Sequence, residues 1–111
     1  MSSENNWQTI CQTNDLVKNS GVCALLDNDE QIALFQVGNH AIYAVSNFDP
    51  FGKANVLYRG IVGDSKGEVY VASPLLKQRF SLSNGACLDD DSVSIRHYGA
   101  RIVDGNVEVL V

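Results

Sequence analysis

From Gly21 onward apolar and polar side chains largely alternate, the spacing that turns one face of a β-strand inward and the other to water. The run GVCALLDNDEQIALFQV predicts strands over 22–26 and 31–37, joined through Asp27-Asn28-Asp29-Glu30, whose short polar side chains favour turns. QVGNHAIYAV turns again at Gly38-Asn39 and predicts a third strand over 41–45. Near the other end, RIVDGNVEVLV sets Asp104-Gly105 between two alternating runs, the strongest short-range mark of a hairpin. Ser83-Asn84-Gly85 separates QRFSL from ACL in a similar way. Helical spacing is scarce. Thr13-Asn14-Asp15 predicts a short helical turn over 13–19, because these side chains accept hydrogen bonds from the orphan N–H groups of a first turn, and 54–58 predicts another. Pro50 and Pro74 both fall in non-strand stretches. About eight to ten short strands with turn signals at regular spacing imply an all-β fold, an antiparallel sandwich or partly open barrel with one or two short helical turns.

Composition narrows the picture further. A chain of 111 residues is long enough to bury one core and too short for two, so a single domain over 1–111 is expected. Hydrophobic residues at 45% and charged ones at 19% suit an ordered globular chain, and no apolar run is long enough to span a bilayer. The start, MSSENNWQTICQTND, lacks the basic end and apolar middle of a secretory signal, which predicts a cytoplasmic protein. The net charge is −5 and the eight Lys and Arg residues are scattered, which argues against nucleic acid and membrane surfaces as partners: affinity for phosphates needs clustered cations. Cys11, Cys23 and Cys87 are odd in number and far apart, as expected of reduced thiols.

Familiar catalytic patterns are missing. Neither His40 nor His97 sits beside a nucleophile or an orienting carboxylate in a motif, and no glycine-rich phosphate loop is present. His40 reads as a solvated turn residue and His97 as an ordinary strand residue. Asp89-Asp90-Asp91 reads as a solvated turn, since three successive carboxylates splay rather than converge on one cation. Cys87 reads as a small packing residue with no basic neighbour to activate it, and Trp7, Phe35, Tyr43 and Phe80 as core or core-edge aromatics.

The order of segments from Ala44 onward resembles a Rieske-type iron–sulfur domain: a strand ending YAVSN, a proline loop FDPF, the stretch VLYRGIVGDSKGEVYV, a second proline loop ASPLLKQRF, then SLSNGACL and a closing hairpin. Rieske loops read Cys-x-His and Cys-x-x-His, with thiolates on one iron and imidazoles on the other. The resemblance assigns those ligand positions to Asp49 and Phe51 and to Ser73 and Leu76, and none of the four is a cysteine or a histidine. Asn47, Leu57, Gly60, Arg79-Phe80 and Gly85 keep the pattern around the loops. The segments SNFDPF, LYRGIVGDSKGEVYVASPLLKQRFSLSNGACL and HYGARIVDGNVEVLV are together similar to the small-subunit family of cytoplasmic NADH-dependent nitrite reductases, along nearly the whole chain.

That resemblance implies a Rieske-like fold without catalytic residues, cofactor or metal of its own. It implies a role in reducing nitrite to ammonium beside a large subunit that carries FAD, siroheme and a 4Fe-4S cluster. Phe51 and Leu76 are expected to pack on one another or on neighbours such as Leu75, while Asp49 and Ser73 satisfy loop N–H groups. Phe51, Lys53, Leu75, Leu76, Lys77, Gln78 and Arg79 form a candidate surface for the large subunit, apolar at its centre with a polar rim. Two alternatives remain open: a Rieske-type electron-transfer protein with a cryptic cluster, and a cluster-free adaptor domain for another oxidoreductase.

Overall fold

The structure, a computed structural model, describes residues 6–38 and 41–111. Asn39 and His40, the tip of the turn expected after Gly38, lie outside the described residues, as do residues 1–5. The strands are β1 (Trp7–Gln12), β2 (Gly21–Leu25), β3 (Gln31–Val37), β4 (Ala41–Ser46), β5 (Phe48–Asp49), β6 (Ala54–Asn55), β7 (Ile61–Ser65), β8 (Glu68–Ala72), β9 (Arg79–Ser81), β10 (His97–Tyr98), β11 (Ala100–Val103) and β12 (Asn106–Leu110). They form sheets of order β1-β12-β11, β10-β4-β3-β2, β5-β6 and β7-β8-β9, all paired antiparallel, and none closes on itself. The all-β, partly open reading therefore holds. Among the described residues no helix is long and apolar enough to cross a membrane.

β3 explains the layering. Its run Ile32-Ala33-Leu34-Phe35 is fully buried, so both faces of this strand are covered and apolar positions do not alternate with polar ones. Ala33 and Phe35 join a core with Val45, Leu57, Val71, Phe80, Leu82, Cys87 and Ile95, while Ile32 and Leu34 join a second with Leu26, Ala44, Val107 and Val109. The four-stranded sheet thus lies between the β1-β12-β11 sheet on one face and the β7-β8-β9 region on the other. Cys87 is buried in the first core, and Trp7 lies at the margin of the other sheet with Arg101 stacked over its ring at 3.9 Å.

Turns follow the expected chemistry. Asp104 and Gly105 both take positive φ, 52° and 79°, the pair of left-handed residues that a tight hairpin between right-twisted strands requires. Gly85 has φ 77°, and a Cβ there would lie 2.0 Å from the Ile95 carbonyl oxygen, so this turn admits no side chain. The expected helical turns shrink and shift. A 3₁₀ turn covers only Thr13–Asp15, because Asn19 enters the left-handed region and donates its N–H to Gln36 O, while Lys18 bridges Gln36. The other occupies Leu57–Arg59 rather than 54–58, because Ala54–Asn55 pairs with Phe48–Asp49.

Candidate functional site

The two proline loops share one local construction. The first runs Asp49-Pro50-Phe51-Gly52-Lys53 between β5 and β6, the second Ser73-Pro74-Leu75-Leu76-Lys77 between β8 and β9. In each, the leading side chain accepts hydrogen bonds from the residues after the proline: Phe51 N–H (2.8 Å) and Gly52 N–H (3.1 Å) donate to Asp49 Oδ1, and Leu75 N–H (3.2 Å) donates to Ser73 Oγ. The fifth residue closes each turn, Lys53 N–H on Asp49 O at 2.6 Å and Lys77 N–H on Ser73 O at 3.1 Å. Both lysines adopt left-handed backbone, φ 58° and 66°. The fixed φ of proline and a short polar acceptor one residue before it are what build such turns.

The loops are joined to each other through their leading residues. Ser73 Oγ–H donates to Asp49 Oδ2 in a short hydrogen bond, with both side chains buried. Asp49 therefore receives three hydrogen bonds and Ser73 gives one and takes one, which satisfies groups that would be costly to bury unpaired. Leu75 closes the remaining gap: a Cβ on Gly52 would lie 2.5 Å from its Cδ1 and 3.1 Å from Asp49 Oδ2.

Phe51 and Leu76 diverge. Phe51 turns inward onto Phe80, ring centroids 6.1 Å apart and planes at 41°, and becomes the outer part of the first core. Leu76 points outward with 56% of its surface exposed, and it is Leu75 that spans to the other loop. Of the candidate surface, Lys53, Leu75, Leu76 and Lys77 are exposed. Arg79 is engaged within the chain: its Nη2 lies 2.8 Å from Asp89 Oδ1, its Nε and N–H both reach Asp89 Oδ2, and its guanidinium stands 5.5 Å over Tyr70. The hydrogen bond from the Arg79 side chain, helped by its N–H and charge, holds the Asp89 carboxyl below the usual carboxylate range. Gln78 is half-buried, and its main-chain oxygen accepts from Ser73 N–H.

Behind the loops Asn47 acts as a hub. Fully buried, it donates from Nδ2 to Asn55 O (3.1 Å) and Gln31 Oε1 (3.2 Å), accepts Tyr58 N–H at Oδ1 (2.8 Å), and takes Leu57 N–H on its carbonyl. Leu57 is fully buried beside it, and a Cβ on Gly60 would meet Ala72 O at 2.4 Å, so the pattern residues outside the loops are the ones that fix where the loops leave the sheets. Cys23 Sγ also accepts from Asn47 Nδ2 at 3.4 Å, and partial burial pushes its thiol up. His97 is exposed on β10, where it pairs with Val45, and Asp90 is used by its own turn, accepting from Ser92 N–H and Oγ–H.

A [2Fe–2S] centre of the Rieske kind does not fit these residues. The positions that the resemblance assigns to its ligands carry a carboxylate, a benzyl group, a hydroxyl and an isobutyl group, while such a centre takes two thiolates and two imidazoles. The space between the loop tips is spanned by the Asp49–Ser73 hydrogen bond and by Leu75. Sequence reasoning located both loops but not this bond. The shared pattern of DPFGK and SPLLK, an acceptor, a proline and a lysine at matching places, marks two copies of one turn but carries no sign of the bond between them.

Comparison with known proteins gives a consistent picture. A model of the Rieske-like [2Fe-2S] domain matches residues 6–110. The NADH nitrite reductase small subunit of Escherichia coli K12 is 47% identical over 104 residues, covering 93% of this chain and 95% of that one. A solved structure named a candidate NADH-dependent nitrite reductase small subunit, from Mycobacterium tuberculosis, superposes with a TM-score of 0.93 at 44% identity, covering 98% of this chain and 97% of that one. The nitrite reductase [NAD(P)H] large subunit of Klebsiella oxytoca contains a segment 40% identical over 103 residues, which takes in 93% of this chain but 11% of that protein.

Proposed function

Because the chain belongs to the Rieske-like [2Fe-2S] domain family, and within it to the small subunits of NADH-dependent nitrite reductases, we propose that it works as a cluster-free, non-catalytic partner of a large nitrite reductase subunit. Nitrite reduction to ammonium is carried out on that subunit, with FAD, siroheme and a 4Fe-4S cluster, and this chain contributes none of the redox centres. The observation that carries the cluster-free reading is the buried hydrogen bond between Asp49 and Ser73, because it joins the two loops at the positions where thiolates would be needed. The Klebsiella large subunit supports the partner: a domain of this kind there occupies the same polypeptide as the reductase, so the two are built to sit side by side. We read residues 1–111 as one domain acting in the cytoplasm, where NADH is supplied.

The family name alone would favour an electron-transfer domain, but a carboxylate and a hydroxyl bound to each other offer iron neither the soft thiolates nor the imidazoles that such a cluster takes. Co-expression of the tagged chain with the large subunit tests the proposal. The expected result is a stable complex whose flavin and siroheme contents equal those of the large subunit alone; recovery of the chain without the large subunit would contradict it.

A further inference from the structure

The proline loops end in a feature that the first core does not use. Leu75 and Leu76 are adjacent, 47% and 56% exposed, and neither is needed to close the first core, which Phe51 and Phe80 complete beneath them. Lys53 and Lys77 flank the pair, one from each loop, and both are exposed. Among the described residues neither forms an ion pair, as Lys18, Arg59 and Lys66 also form none, but these two are the pair brought together at one tip beside exposed leucines. On a chain of net charge −5, this tip joins two adjacent exposed leucines to two cations contributed by separate loops.

The backbone points the same way. Both lysines occupy left-handed conformations, where glycine or asparagine sits at less cost. Each loop is stiffened by a proline, a closing hydrogen bond and a side-chain acceptor, and the two are tied together by Asp49 and Ser73. The leucines and lysines are thus held in place before any partner arrives, which lowers the ordering cost of binding. Phe51 and Arg79 fall outside the feature, since one faces the core and the other is held by Asp89.

We infer that this tip is the docking surface for the large nitrite reductase subunit, with Leu75 and Leu76 entering an apolar recess whose rim presents carboxylates to Lys53 and Lys77. The inference rests on the partner proposed above. Its basis is the exposed leucine pair set between two lysines on a rigid tip, together with the fused Klebsiella relative, in which a homologous domain and the reductase share one polypeptide.

The test titrates the full chain against the purified large subunit at low and at high salt. Wild-type chain is compared with Leu75→Ser/Leu76→Ser, with Lys53→Glu/Lys77→Glu and, as a control, with Ile61→Ser, an exposed residue on β7. Thermal melts of each variant establish that it is folded. The leucine pair is expected to weaken binding about 10- to 100-fold, and the charge reversal about tenfold with a shallower salt dependence, while Ile61→Ser binds as wild type. Wild-type affinity in both double variants would overturn the docking surface and leave the partner intact. Failure of the wild-type chain to bind the large subunit would overturn both.

Discussion

Replacing Asp49 by alanine removes one side chain and orphans three donors: the N–H groups of Phe51 and Gly52 and the hydroxyl of Ser73. A buried donor left without a partner costs about 1–3 kcal/mol, but the loop amides lie in half-buried residues that water can partly reach, so a total of about 2–4 kcal/mol is expected. For a chain of this length unfolding entropy translates 1 kcal/mol into roughly 4 °C, so the melting temperature should fall by about 8–16 °C. Asp49→Asn separates geometry from charge. Its carbonyl oxygen still accepts from the two amides and its NH₂ donates to Ser73 Oγ, so its cost should stay near 1 kcal/mol. Circular dichroism melts and urea midpoints give the stabilities, and amide exchange at Phe51 and Gly52 reports the local opening. An alanine variant within about 0.5 kcal/mol of wild type would refute the reasoning. So would an asparagine variant as damaging as alanine, because the clasp would then depend on charge rather than on an acceptor in the right place.

Gly85→Ala should destabilise by at least about 2 kcal/mol, since a Cβ meets the Ile95 carbonyl at 2.0 Å on a backbone of positive φ; urea midpoints check this, and a neutral result contradicts the turn geometry. Phe80→Ala, which empties the centre of the first core and removes the floor under Phe51, should cost about 3–5 kcal/mol by the same measurement. The Asp89 carboxyl is depressed mainly by its hydrogen bond from the Arg79 side chain, so its contribution to stability is complete above the unfolded carboxylate value and is lost as pH falls through the lower folded one. In an NMR titration Arg79→Gln should move the Asp89 midpoint upward, and an unchanged midpoint would deny the pairing.

Where side chains repeat over several residues the elements were legible. The strand over Gln31–Val37 follows from its apolar run between turn clusters, and the final hairpin from Asp104-Gly105. Elements of two residues, such as β5, β6 and β10, have no period to read and exist only because a neighbouring strand offers hydrogen bonds. The stretch after Thr13 illustrates the same limit: its capping residues favour a helix, yet pairing of Lys18 and Asn19 with Gln36, far along the chain, ends it after one turn. At the loops, residue types revealed which ligands were missing. They did not reveal what holds the loops instead, because Asp49 and Ser73 are 24 positions apart and no local preference links them. The inward turn of Phe51 and the outward turn of Leu76 have the same origin: Leu75 fills the space over Gly52, and Phe80 offers the ring that Phe51 packs on.

The measurement closest to the central claim is the iron and acid-labile sulfide content of the chain, purified without oxygen from iron-replete cells and followed by visible and electron paramagnetic resonance spectra after reduction. A colourless protein with iron well below one atom per chain and no signal is the predicted result. Two irons per chain with the spectrum of a histidine-ligated cluster would contradict it, because the Asp49–Ser73 bond and that cluster require the same space.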